Sequence, residues 1–135
     1  MRVRRVSGFA ASVLTNMRII VDGIDVVRRA PLALAPDGVY ASHSDNGYPP
    51  TNIIDSNDKT FWSSSAAVPW IAYIFGTPVN VSEVDLLANS LSGYDYLTGR
   101  VIETSTDTTN GSDGTWTVRK TINSSTINAW NNFIF

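Results

Sequence analysis

Residues 41–75, ASHSDNGYPPTNIIDSNDKTFWSSSAAVPWIAYIF, set a long run of turn formers directly before an unbroken apolar segment, and this juncture constrains the chain more than any other. Ser42, Ser44, Asp45, Asn46, Gly47, Pro49, Pro50 and Asn52 bond their own backbone, tolerate positive φ, or fix φ and remove ladder donors. Such a stretch is a surface loop. Trp70 to Phe75 then gives six apolar residues in succession, ended by Gly76 and Pro78. The run is too short for a helix and rich in aromatic and β-branched types, which predicts a strand buried on both faces.

The rest of the chain reads in the same way. Residues 18–28 predict a hairpin, because Asp22-Gly23 is a type I′ turn signal that sets Val21 opposite Ile24 and Ile19 opposite Val26. Val79, Val81, Val84 and Leu86 form two alternating runs whose phase breaks at Ser82-Glu83, which predicts a bulge. Residues 100–105 alternate, and residues 115–122 place Trp116, Val118, Lys120 and Ile122 on one side; between these strands TDTTNGSDG reads as a flexible connection. From Trp130 the chain turns apolar through Phe135, so it ends inside a would-be strand and is expected to be incomplete there or completed by a neighbouring chain. No window has helical amphipathicity. The expected fold class is all-β, an antiparallel β-sandwich.

Composition excludes several function classes. With 135 residues, 43% of them hydrophobic and 10% aromatic, the chain builds one core. It has no Cys, so disulfides, thiolate metal sites and Cys nucleophiles are ruled out. No run approaches the roughly 18 apolar residues of a membrane-spanning helix. The N-terminus has a basic start, but Gly8, Ser12, Thr15 and Asn16 interrupt its apolar part, which favours a folded segment over an export signal. Six Arg in residues 1–30 (Arg2, Arg4, Arg5, Arg18, Arg28 and Arg29) against Asp22 and Asp25 leave that segment positive, and the remainder is acidic. Such asymmetry suits docking on an acidic partner, and equally a solvated basic face. Nucleic acid is disfavoured, since no aromatics interleave the basic residues.

Asp55, Asn57, Asp58 and Thr60 are spaced closely enough to wrap one hard cation such as calcium, which takes six to eight oxygens. The alternative is a loop whose Asp and Asn side chains cap their own backbone.

The ordered set Ala41-Ser42, Pro50-Thr51-Asn52, Asp55, Thr60-Phe61-Trp62 and Trp70-Ile71 resembles the discoidin-like, or coagulation-factor type C, domains and the related galactose-binding carbohydrate-binding modules. Residues 102–105, Asp107 and residues 114–118 resemble that family's second conserved strand pair. Ser56 stands where the family pattern has Gly, and an insertion separates Asp107 from Gly114. The resemblance implies a jelly roll of about eight strands over residues 39–135, with ligand loops at one end, a structural calcium at residues 55–60, and Trp62, Trp70 and Trp116 at core positions. Residues 1–38 then precede the domain as a hairpin extension suited to attachment.

No nucleophile elbow, zinc-type His spacing or phosphate loop accompanies the sole histidine, His43, so a non-catalytic function is expected. Sugar binding needs a flat apolar surface and a few hydrogen-bonding groups. His43, Asn46, Tyr48, Asn89, Tyr94, Tyr96 and Arg100 are loop or loop-edge residues of those types, with Tyr94 or Tyr96 expected to stack on the sugar. The expected function is glycan or cell-surface polysaccharide binding, in a phage virion or tail component joined to other virion subunits through its N-terminal segment and acting as an oligomer or part of an assembly. A structural virion protein and an accessory module of a secreted glycoside hydrolase are the alternatives.

Overall fold

The computed structural model describes residues 1–6, 12–21, 24–25, 36–87 and 95–135. Its elements are strands β1 (Arg2–Arg5), β2 (Ser12–Leu14), β3 (Asn16–Val21), β4 (Ile24–Asp25), β5 (Pro36–Ala41), β6 (Trp62–Ser64), β7 (Trp70–Phe75), β8 (Val81–Leu87), β9 (Arg100–Thr104), β10 (Thr117–Thr121) and β11 (Trp130–Ile134), with one 3-10 turn at Pro50–Ile53. All pairings are antiparallel. A five-stranded sheet runs β10-β9-β1-β7-β5, a four-stranded sheet runs β11-β8-β3-β4, and β2 pairs with β6. The class is the expected all-β sandwich, with eleven described strands in place of about eight. Among the described residues no helix is long and apolar enough to cross a membrane.

The two larger sheets share one core. Val3 lies between Ile71 and Ile102 in the first sheet, and Val84 lies between Ile19 and Phe133 in the second. These side chains belong to one buried cluster with Leu14, Met17, Ile53, Trp62, Tyr73, Leu86 and Ile122. Pairing follows the sequence pattern closely at two points. β7 is buried on both faces through Ile71–Ile74, and the β3–β8 register shifts opposite Ser82, placing the bulge where the phase of the valines breaks.

The N-terminal segment is not an extension. Val21 does oppose Ile24, but β3 is an interior strand of the four-stranded sheet and β1 is the middle strand of the five-stranded one. Met17 and Ile19 supply fully buried side chains, so the predicted hairpin is half of a wall of the core. The boundary at residue 38 therefore does not divide two bodies. Val26, Arg28 and Arg29 lie outside the described residues.

The expected free basic face is also partly consumed within the fold. Arg2 and Arg4 both pair with Glu103, at 2.8 and 2.9 Å, on the outer face of the five-stranded sheet. The guanidinium of Arg2 lies 4.0 Å from the Trp116 ring centroid and 5.8 Å from that of Trp70. Trp70 and Trp116 thus flank an arginine on the outer face, and of the three expected core tryptophans only Trp62 is buried in the core. Glu103 is held below the ordinary carboxylate range: burial opposes this, and the hydrogen bonds and charges of Arg4 and Arg2 outweigh it.

Residues 105–116 cover this outer face, which is why β7 needs apolar residues on both sides. Gly111 takes φ +87°, and a Cβ there would sit 2.8 Å from both Ala72 Cβ and Trp70 Cζ3. Its carbonyl accepts from Arg2 Nη1 at 3.0 Å. The TDTTNGSDG connection, expected to be flexible, is tied by hydrogen bonds of its own. Asp113 accepts from the hydroxyls of Thr108 and Thr109 and from the backbone N–H of Thr109, and Asp107 accepts from Ser105 Oγ and Thr115 N–H. The bonds from Thr109 and Thr108 hold the Asp113 carboxyl well below the ordinary carboxylate range.

Candidate functional site

Antiparallel pairing brings the end of β5, the start of β7 and the start of β9 to one end of the sandwich: Ala41 opposes Ile71, Arg4 opposes Trp70, and Arg5 opposes Arg100. The loops 42–49, 65–69 and 95–99 therefore gather there, with the segment after β10 held alongside by bonds between Ile122 and the Gly99-Arg100 backbone.

Asp45 organises the first of these loops. Its Oδ2 accepts from Ser63 Oγ at 2.7 Å, and its Oδ1 accepts from Ser65 N and Ser65 Oγ at 3.0 and 2.8 Å. The Ser63 hydroxyl is the main reason its carboxyl lies below the ordinary range; burial opposes, and Ser65 and His43 add to the lowering. Asp45 N–H donates to Ser63 O, and Tyr48 N–H donates to Asp45 O at 3.0 Å, closing a turn in which Gly47 takes φ +86°. From below, Trp62 Nε1 donates to His43 O and Ser44 Oγ at 3.1 and 3.0 Å. These bonds brace the loop from both sides.

Three of the predicted site residues project from this fixed loop. The His43 ring is 48% exposed, with Nδ1 3.2 Å from Ser64 Oγ and 3.7 Å from Asp45 Oδ1. Asn46 is exposed at the turn. Tyr48 is 40% exposed and stacks on Phe61 with centroids 4.6 Å apart and planes at 17°. Phe61 covers one ring face and restrains the tyrosine, whose remaining surface is accessible.

The other predicted residues do not join them. Arg100 is 8% exposed, and Tyr96 packs against the core cluster; with Trp62, Leu14 and Pro69 they line a cleft of only about 20 Å3. Asn89 and Tyr94 lie outside the described residues. Asp45, Ser63, Ser65 and Phe61 were missed. The alternation of Ser63 and Ser65 around a strand end, facing an Asp-Asn-Gly turn, is the signal that would have found them.

Asp55, Asn57, Asp58 and Thr60 take the self-capping arrangement. Asp55 Oδ1 accepts from Asn57 N at 2.8 Å, Asp55 Oδ2 from Thr60 Oγ1 at 2.6 Å, and Asn57 Oδ1 from Lys59 N at 3.1 Å. Asp58 is turned to the buried Asn16, whose Nδ2 donates to Oδ1 at 2.8 Å. In this arrangement the side-chain oxygens answer the loop's own donors. Among the described residues no group of three or more His, Cys, Asp and Glu side chains is placed to hold a metal. Ser56 adopts φ +61°, the left-handed conformation that explains why glycine suits this position.

The F5/8 type C domain family matches residues 38–133. No curated protein and no solved structure matches the chain.

Proposed function

The chain belongs to the F5/8 type C domain family, whose members are binding-type domains, and on that premise we propose that it binds neutral glycans at the loop end without catalysing a reaction. The observation that carries this reading is the Asp45 network, which fixes loop 42–48 while leaving His43, Asn46 and Tyr48 accessible together. Tyr48 offers a restrained aromatic surface for the C–H face of a sugar, Asn46 offers an amide, and His43 Nε2 has no partner among the described residues. The ionised Asp45 carboxylate beside them favours sugar hydroxyls over anionic sugars. A shallow surface of this kind excludes little water, so a single site binds with a dissociation constant on the order of millimolar to tens of micromolar, about 4 to 6 kcal/mol.

Frontal affinity chromatography over immobilised neutral and anionic glycans tests the proposal. Wild-type protein is expected to be retarded by at least one neutral glycan, with retardation abolished by His43→Ala and Tyr48→Ala in folded protein. Passage of wild type at the void volume on every column would refute it.

A further inference from the structure

At the other end of β7 and β9 the sandwich opens into a cavity of about 240 Å3, between the turn after β7 and the segment after β9. Phe75, Val79 and Val81 give it an apolar floor continuous with the core. Thr77, Thr104 and Thr106 line its rim, and their hydroxyls have no side-chain partner among the described residues. Two neighbouring hydroxyls behave differently. Ser105 donates to Asp107 and Thr108 donates to Asp113, so these bonds, with the Arg2 bond to Gly111, fix the wall that presents Thr104 and Thr106.

We propose that this cavity is a second binding site, for a small uncharged polyhydroxylated ring such as one neutral pyranose. The inference stands on the cavity alone and does not depend on the loop end. Size limits the ligand, since the volume lies just below the about 300–1,000 Å3 of drug-sized pockets and suits one ring. Charge disfavours anions and cations, because the ionisable groups lining the cavity are only the Tyr73 phenol and the Met1 α-amino group, which donates to Tyr73 O at 2.8 Å and which burial, with the nearby Arg2 charge, lowers to about 6, so that it is largely uncharged at neutral pH. A purely apolar occupant is disfavoured, because it would cut the three threonine hydroxyls off from water without replacing their hydrogen bonds. A pyranose meets both requirements, with a C–H face for Phe75 and hydroxyls for the rim.

The test is a titration of the 15N-labelled chain with methyl β-glucopyranoside, methyl β-galactopyranoside, glucuronate and cyclohexanol, followed by amide chemical shifts. Saturable shifts at residues 76–79 and 104–108 are expected with at least one neutral glycoside and with neither glucuronate nor cyclohexanol. Thr106→Val, at an exposed position, is expected to weaken that binding about three- to tenfold, the loss of one hydrogen bond, with the native spectrum retained. No saturable shift at these residues up to about 100 mM, well above a millimolar dissociation constant, would overturn the proposal. So would equal binding of cyclohexanol, or affinity unchanged in Thr106→Val. Shifts confined to residues 42–48 would support the loop-end site and overturn this one.

Discussion

Arg2 shows how much a single residue's role depends on what folds over it. In the sequence it is one of six arginines near the start of the chain, indistinguishable from a solvated charge. In the fold its side chain is 11% exposed, between two tryptophans and bonded to Glu103 and Gly111. Nothing local to Arg2 announces this, because its partners lie about a hundred residues away; β-pairing brings them together. Glu103→Ala leaves the Arg2 charge buried without its partner and is expected to destabilise the protein by about 3–5 kcal/mol, read by urea denaturation. A loss below 1 kcal/mol would contradict the account. The pair also sets a pH response. Because the folded-state pKa of Glu103 is depressed, its contribution is present above the ordinary value of 4.5 and is lost as pH falls through the folded value. Acid titration of stability should therefore show a loss below about pH 4.5 that is smaller in Glu103→Gln. The same loss in both proteins would assign it to other carboxylates.

Elements were legible where their signal is local and obscure where tertiary pairing decides. β7, the bulge at Ser82 and the Val21–Ile24 pairing follow from periodicity and turn chemistry, which operate over a few residues. The place of β1 and β3 in the sheets does not, since a strand's neighbours are set by long-range burial. An arginine-rich strand such as β1 reads as exposed unless its outer face is known to be covered. Removing residues 1–21 takes the middle strand from one sheet and an interior strand from the other. The truncated chain is expected to lose cooperative unfolding and near-ultraviolet circular dichroism; a native-like melt would show that the sandwich stands without them. The attachment role expected of this segment loses its basis, because two of its arginines are bonded within the fold and its hairpin is part of the core wall. The loop 55–60 is a second case, in which one set of residues serves a cation cage or a self-capped turn equally well until geometry is known. With its oxygens bonded to Asn57, Lys59, Thr60 and Asn16, the melting temperature is expected to be the same in millimolar calcium and in excess chelator. A rise of several degrees with calcium would show that the loop holds the metal, since a ligand at a hundred times its dissociation constant adds about 2.7 kcal/mol.

For the whole molecule, the sandwich places two kinds of surface at opposite ends: a braced loop cluster around Asp45, and a cavity rimmed by threonine hydroxyls. The resemblance visible in the sequence reached the family and the fold class, because framework residues such as Trp62 and Asn52 act through local contacts that recur in order; Asn52 Nδ2, for example, donates to Phe61 O at 2.9 Å. The proposed binding face is half-legible by comparison. His43, Asn46 and Tyr48 are exposed together on one loop, whereas Arg100 and Tyr96 carry the same chemistry and differ in burial, which residue type does not encode. Weak single sites act through multivalent display, where linkage raises avidity by about 10²–10⁴ without new contacts. The most direct measurement is a neutral-glycan array probed with the protein clustered on a multivalent carrier, wild type beside Tyr48→Ala of equal thermal stability. Wild type is expected to bind a subset of neutral glycans and Tyr48→Ala to lose them. Binding that survives unchanged in Tyr48→Ala, or no binding by the folded wild type, would contradict it.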